Sequence, residues 1–374
     1  MGSDLIKTDV FIVGGGPAGL AAGIALRQRG MRVTVADAAR PPIDKACGEG
    51  LMPQTVAELR NLGVRLGPAQ AAPFRGIRFM GGGKSAEGAF PEGYGLGIRR
   101  TTLHQALVDR AAETGVQCLW GTRVKCIGQG VAHLDSCQVQ SGWTIGADGQ
   151  NSLVRRRAGL DAGHPEVTRF GFRQHFRAAP WTDFVEVYWG SHCQIVVTPV
   201  AAEEVCLVVT SRSPRIRLKE ALGDFPDLVG KLQGKPAMTR DLGALSALRV
   251  VRKVYEGHFV LVGDASGSVD SLTGEGLGLA FQQAGALAEA LAHNDLARYG
   301  AAHRRINRQP EMMSRILLAM ENRAWLRRRV IDTLAREPRL FERLLAAHVG
   351  TFSPFSFGFA NMFRLSWRLL ANPS

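Results

Sequence analysis

Cysteine is scarce in this chain, and its spacing pairs with nothing. The six, Cys47, Cys118, Cys126, Cys137, Cys193 and Cys206, form no CxxC and no metal-ligand spacing with histidine, so no metal site is expected. Long apolar runs are also missing. No stretch of about 18 uncharged apolar residues exists, so no transmembrane span is expected. No secretory signal precedes the apolar run Val10–Val13, and Ile6 stands where a myristoylation pattern needs Ser or Thr. A cytoplasmic location is expected, with peripheral membrane contact left open. Acidic residues are outnumbered, 33 against 46 Lys and Arg, which leaves a net charge of +13. No zinc knuckle, RNA-binding signature or basic-aromatic stripe accompanies that charge, so nucleic acid is not an expected partner. Anionic lipid or an anionic cofactor remains open.

Glycine is abundant, 44 in 374 residues, and much of it sits in short clusters. Such clusters suit backbone that must approach a ligand closely. The first cluster has a clear context. Residues 9–13 read as a buried strand, Pro17 to about Arg29 as a helix, and Arg32–Ala36 as a second strand. Between strand and helix lies Gly14-Gly15-Gly16-Pro17-Ala18-Gly19, a G-x-G-x-x-G run inside a β-α-β unit. Gly14 suits the tight turn, Gly16 a close approach to pyrophosphate, and Gly19 close helix–strand packing. The helix N-terminus adds free N–H groups for phosphate. Asp37 ends the second strand, where a carboxylate can accept both ribose hydroxyls and oppose a 2′-phosphate.

Two later strands end in a glycine–carboxylate pair. Trp143–Ala147 runs into Asp148-Gly149, and Phe259–Val262 runs into Gly263-Asp264. Strand C-terminal ends are where open α/β sheets bind ligands. With the first motif, these resemble the three fingerprints of the FAD-dependent aromatic-hydroxylase superfamily, the group of para-hydroxybenzoate hydroxylase. The resemblance implies FAD. It implies that Asp264 meets the ribityl chain and that Asp148-Gly149 lies near the pyrophosphate. It assigns Arg100, opening an Arg-x-x-Leu helix, to FAD phosphate or ribityl oxygens, and the backbone of Val124 to adenine. NADPH or NADH, with no second nucleotide fold for it, is expected to bind transiently.

Two further runs resemble the geranylgeranyl-reductase and halogenase-like branch: Ala46–Pro53, containing Cys47 and Glu49, and Thr273–Ala280. There Gly274, Gly276 and Leu277 stand at the flavin's pyrimidine edge, before a helix whose partial positive charge favours reduced flavin. The strand Gln194–Pro199 lacks the tryptophans of halogenases, and Ser266 and Ser271 replace the His and Pro usual in hydroxylases. Cys47 reads either as a proton donor or as a small residue filling space. His175 reads either as a satisfied strand histidine or as a contact to substrate. Glu49 reads as orienting the flavin or capping the helix from Gln54.

The expected fold is α/β. A Rossmann-type FAD-binding domain with a parallel sheet comprises 1–72, 99–163 and 256–296. An inserted, mostly antiparallel β-sheet substrate domain comprises 73–98 and 164–255, with one helix near 217–233. A basic helical region follows from 297 to 374, where Leu340, Phe341, Leu344 and Leu345, and then Phe352 to Trp367, suit a lipid-touching face or a cover over the substrate entrance. The first functional expectation is an NAD(P)H-dependent monooxygenase, hydroxylating a hydrophobic aromatic or polyketide-like molecule with O2 through a flavin C4a-hydroperoxide. The alternatives are a reductase of C=C bonds in an isoprenoid or other apolar substrate, and a non-catalytic flavin carrier or sensor.

Overall fold

The computed structural model describes residues 4–67, 69–128, 130–161 and 165–350. Among them, the apolar runs form two large sheets and one small one. The first large sheet has eight strands. Its path is Tyr255–Glu256, Phe259–Leu261, Cys137–Gly146, Asp4–Val13, Val33–Asp37 and Gln117–Trp120, and the hairpin Val124–Ile127 and Val131–Leu134 pairs alongside. Asp4–Val13 runs parallel to both neighbours, with Ile12 opposite Ile145 on one side and Val35 on the other. A parallel strand is apolar where both its faces are covered, here along Val10–Val13. Val10, Phe11 and Ile12 are accordingly fully buried.

This register decides the site. Val13 lies opposite Gly146, and Gly146 lies opposite Leu261. Three motifs far apart in sequence therefore leave adjacent strands at one sheet edge. Helix Pro17–Arg27 buries Leu20, Ile24 and Leu26 in a core shared with Phe281, Ala284 and Leu287 of helix Gly276–Ala292. Both helices start at that same edge.

The second sheet has seven strands in the order Leu242–Leu248, Val167–Arg177, Glu204–Ser211, Cys193–Ala201, Phe184–Trp189, Gly76–Gly81 and Lys84–Ala89. Its pairs are antiparallel except Phe184–Trp189 with Gly76–Gly81. A three-stranded sheet of Gly50–Leu51, Gly95–Gly97 and Ala72–Phe74 accompanies them. Helices Leu296–Asn322, Ala324–Arg336 and Pro338–His348 follow. Leu317, Ile331, Leu334, Phe341 and Leu345 pack into one core with Phe74, Val185 and Val187.

The structure corrects some expectations. The helix expected near 217–233 is two short helices, Leu218–Ala221 and Pro226–Leu232, joined by a 3-10 turn. Pro226 drives Phe225 out of helical geometry, to φ −132 and ψ 71. Helix Gly276–Ala292 begins three residues earlier than its apolar run suggests, because Gly276 and Gly278 sit in its first turn. Leu340, Phe341, Leu344 and Leu345 pack on the core as a cover. Phe352 to Trp367 lie outside the described residues.

Candidate active site

The glycine cradle is dictated by backbone crowding. A Cβ on Gly14 would sit 2.4 Å from the Ala147 carbonyl oxygen, and one on Gly19 would sit 1.9 Å from the Gly14 carbonyl oxygen. No rotamer change relieves a clash with main chain. Gly16, by contrast, faces open space. It caps helix Pro17–Arg27 without any side-chain hydrogen bond, and Pro17 is the first residue of that helix. The helix's first N–H groups are thus left to a ligand. Asp37 Oδ2 accepts the Gly15 N–H at 2.7 Å, and Oδ1 accepts the Ala39 N–H at 2.8 Å. Asp37 therefore shapes the loop as well as standing on the cleft wall.

Behind the cradle stands His104, which the sequence reading missed. It is fully buried. Its Nδ1 accepts the Ile43 N–H at 3.3 Å, so its Nε2–H donates to the Gly15 carbonyl at 2.9 Å. Burial pushes its pKa down, against the pull of the Gly15 carbonyl, which keeps this tautomer neutral. Its position on an amphipathic helix resembles any core residue, and only the loop packed on it reveals the role.

The other two motifs are held in the same way. Asp148 Oδ2 accepts from Leu153 and Val154 N–H at 2.6 and 3.2 Å, capping the helix Leu153–Arg157. The Gly263 N–H donates to Gln283 Oε1 at 2.7 Å. Ser266, hydrogen-bonded to Gly263 and His303, completes that buried network. Burial and Arg304 bring His303 down to about 4, so it is uncharged there. Lys45 Nζ reaches Asp264 Oδ2 at 3.2 Å across the cleft.

Glu49 is the least expected member. It has a positive φ of 59, and its side chain is fully buried. Its carboxylate accepts from Arg173 at 3.0 Å, His175 Nε2 at 2.7 Å and the Arg100 N–H at 2.9 Å. Arg173 also grips Asp44 at 2.7 Å. The hydrogen bond from Arg173 holds the Asp44 carboxyl below the usual range, against burial. Glu49 does not cap the helix Pro53–Asn61, and it is among the residues that line the cleft. It ties the loop 44–49 to the strand Val167–Arg177. His175 belongs to this network, bonded to Glu49 and Thr239, and does not line the cleft. Glu49, His175 and Cys206 bring ligand-type atoms within 4.8 Å of one another, but the Glu49 oxygens already have these donors. Burial drives the Cys206 thiol up, so it stays protonated.

A cleft of ≈ 840 Å³ joins all of this. Gly14, Gly16, Pro17, Ala18, Asp37, Val124, Asp148 and Gly149 line one end. Gly263, Asp264, Gly274, Gly276, Leu277, Cys47 and Arg100 line the middle. Of the sequence-derived cofactor residues, Gly19 alone is not on its wall, because it packs against Gly14. The far end is lined by Phe74, Ile77, Val185, Val187, Val196 and Val208 from the smaller sheets' inner faces, with Leu272 and Thr210. Behind it the fully buried Arg169 is bonded to Asp270 at 3.1 Å and Thr210 at 2.9 Å.

Two buried atoms on the cleft's lining residues, Asp148 Oδ1 and Arg100 Nε, have no partner among the described residues. An acceptor and a donor in want of partners, an open Gly16 and two uncapped helix starts fit the ribose, phosphates and flavin edge of FAD. This fold and site define a flavin-dependent oxidoreductase. The chain belongs to the FAD-binding-domain family, whose model matches residues 7–296. It is 30% identical over 319 residues to a menaquinone reductase of Mycobacterium tuberculosis, covering 78% of each chain. It is 27% identical over 364 residues to a 6-methylpretetramide 4-monooxygenase of Streptomyces rimosus, covering 85% of this chain and 86% of the other. Its fold is similar to a flavoprotein/dehydrogenase from Cytophaga hutchinsonii, with a TM-score of 0.79 at 16% identity over 96% and 95% of the two chains.

Proposed function

We propose that this FAD-dependent enzyme takes electrons from NADPH or NADH and reduces a C=C bond of an isoprenoid-like, apolar substrate. The observation that carries this reading is the far end of the cleft. Six apolar side chains, Phe74, Ile77, Val185, Val187, Val196 and Val208, meet there, and none of them ionises. Such a wall takes up an apolar chain and offers no base to activate a phenol. The relatives named menaquinone reductase support the same substrate class.

When bound, FAD supplies the hydride. The chain's own residues do the rest. The apolar wall excludes water. Gly14, Gly16, Asp37, Arg100, Val124, Asp148, Asp264 and the Gly274–Leu277 turn hold the cofactor. Cys47 lines the cleft where the nucleotide and apolar ends meet, and it supplies the proton from Sγ. The Glu49 N–H reaches that sulfur at 3.4 Å and stabilises the thiolate left behind. Thr198 Oγ1 donates to the Gly48 carbonyl at 2.7 Å and keeps the loop against the sheet. The two large sheets support a division at 1–72, 99–163 and 256–296 for FAD, and 73–98 and 164–255 for substrate, while the small sheet joins Gly50–Leu51 to Gly95–Gly97 across it. Helices 296–348 carry twelve arginines against five acidic residues and an exposed Trp325. That face is the one we propose meets anionic lipid.

Hydroxylation with O2 is the second reading, favoured by the monooxygenase relative matched along most of its length. Anaerobic turnover with NADPH and a prenylated quinone separates the two. A product carrying two added hydrogens without oxygen present supports reduction. A strict need for O2, with one oxygen atom incorporated, overturns it.

A further inference from the structure

The turn Thr273–Gly276 meets the cleft through Gly274 and Gly276. The residue between them carries its side chain elsewhere. Glu275 is the residue before helix Gly276–Ala292, yet its carboxylate makes no capping bond to that helix. Only 12% of the side chain is exposed, and Oε1 lies 3.3 Å from His348 Nε2. His348 ends the helix Pro338–His348, more than seventy positions later in the chain, and is 8% exposed. Its Nε2 also reaches the Thr273 carbonyl at 2.9 Å, while its buried Nδ1 has no partner among the described residues. Gln309, a neutral side chain of helix Leu296–Asn322, holds the neighbouring Ala347 carbonyl and steadies this helix end. The carboxyl-terminal helices are thus latched to the turn that faces the flavin.

The electrostatics make this latch consequential. A helix N-terminus carries a partial positive charge of roughly half a unit. Placed at the flavin's edge, it favours the reduced, anionic ring. An ionised Glu275 at the same place cancels it. Burial raises the Glu275 pKa, and His348 is the charged group that pulls it back.

We propose that Glu275 and His348 form a charge-compensating pair that sets how readily the bound flavin is reduced, with His348 a positioning residue delivered by the carboxyl-terminal helices. The proposal rests on the reading that puts the flavin ring against Gly274–Gly276. It does not depend on which substrate is used.

The test is the reduction potential of the FAD-loaded protein without substrate, measured at several pH values between about 6 and 9. Glu275→Gln removes the carboxylate's negative charge, so its effect is read towards the alkaline end, where a carboxyl is ionised. Reduction there becomes at least tenfold more favourable, a positive shift of about 30 mV for a two-electron couple. His348→Gln keeps a donor for the Thr273 carbonyl but removes the imidazolium's positive charge, so its effect is read at the acid end. The shift there is negative and of similar size. The double variant returns towards the parent. His293→Gln, exposed at the other end of the same helix, leaves the potential unchanged.

Shifts of opposite sign support the pair. Unmoved potentials, or shifts of the same sign, overturn it. If His348→Gln does not fold, Glu275→Gln against His293→Gln decides alone. Gly276→Ala separates the two ways to fail. If it perturbs the flavin spectrum while both charge variants leave the potential unmoved, the coupling is wrong. If it too leaves the spectrum unchanged, the placement of the ring is wrong.

Discussion

The two ends of the cleft are built from different materials. The nucleotide end is main chain: three strand ends in register, two helix starts and glycines whose Cβ would strike a carbonyl. The substrate end is side chain: valines from the neighbouring strands of a second sheet, with buried charge behind them. Backbone sites demand glycine at set spacings, so they leave a mark in sequence. Side-chain sites demand only shape and polarity, which many residues supply.

The harshest trial of this contrast is Arg173→Met. It leaves Glu49 and Asp44 without their shared cation, one of them fully buried. Unpairing a buried charge costs about 3–5 kcal/mol. Thermal and denaturant unfolding should show that loss, with FAD released as the loop 44–49 comes free. Unchanged stability would mean that the floor of the cleft does not depend on its charges.

Gly19→Ala strikes the backbone end. A methyl 1.9 Å from the Gly14 carbonyl oxygen forces helix and turn apart. Overpacking of this kind costs about 1–3 kcal/mol. The variant should purify without flavin colour, and a yellow, stable protein would remove close packing as the reason for this glycine. His104→Ala comes next. It strands the Gly15 carbonyl and should cost about 1–2 kcal/mol. The FAD dissociation constant should rise about tenfold, as read by fluorescence quenching.

Acid acts on the charged floor of the cleft. The Arg173 hydrogen bond depresses the folded-state pKa of Asp44. A depressed carboxyl contributes stability in full above its unfolded value, near about pH 4, and loses it as pH falls through the lower folded value. The parent should therefore retain flavin better than an Asp44→Asn comparison above about pH 4, and the two release curves should converge below it, where that stabilisation is lost. The mildest change is Val196→Thr, nearly isosteric on the apolar wall. Stability should fall by about 1 kcal/mol, the low end for placing a hydroxyl on an apolar wall, because Val196 is half-buried, while KM for an apolar substrate rises severalfold.

The first cluster announced itself because Gly14, Gly16 and Gly19 follow a strand and open a helix, and no other residue fits two of those places. Asp148 and Asp264 were readable for the same reason, each ending an apolar run. Glu49, Arg173 and His104 were not. Arg173 and His175 alternate with aromatics on a strand, as surface or core residues do, and their partner lies more than a hundred positions away. The helix near 217–233 was read too long because its apolar spacing continues through Pro226, where backbone sterics end it.

By itself, the amino-acid sequence determined the nucleotide cradle and hence the cofactor class, because local main-chain geometry restricts which residues can stand there. The fold alone decided which distant side chains face one another: Glu49 with Arg173, His104 with Gly15, Glu275 with His348. Those pairings depend on sheet register and helix packing. Charge and hydrogen bonding act through space over a few ångströms, and the order of residues along a chain does not state that distance.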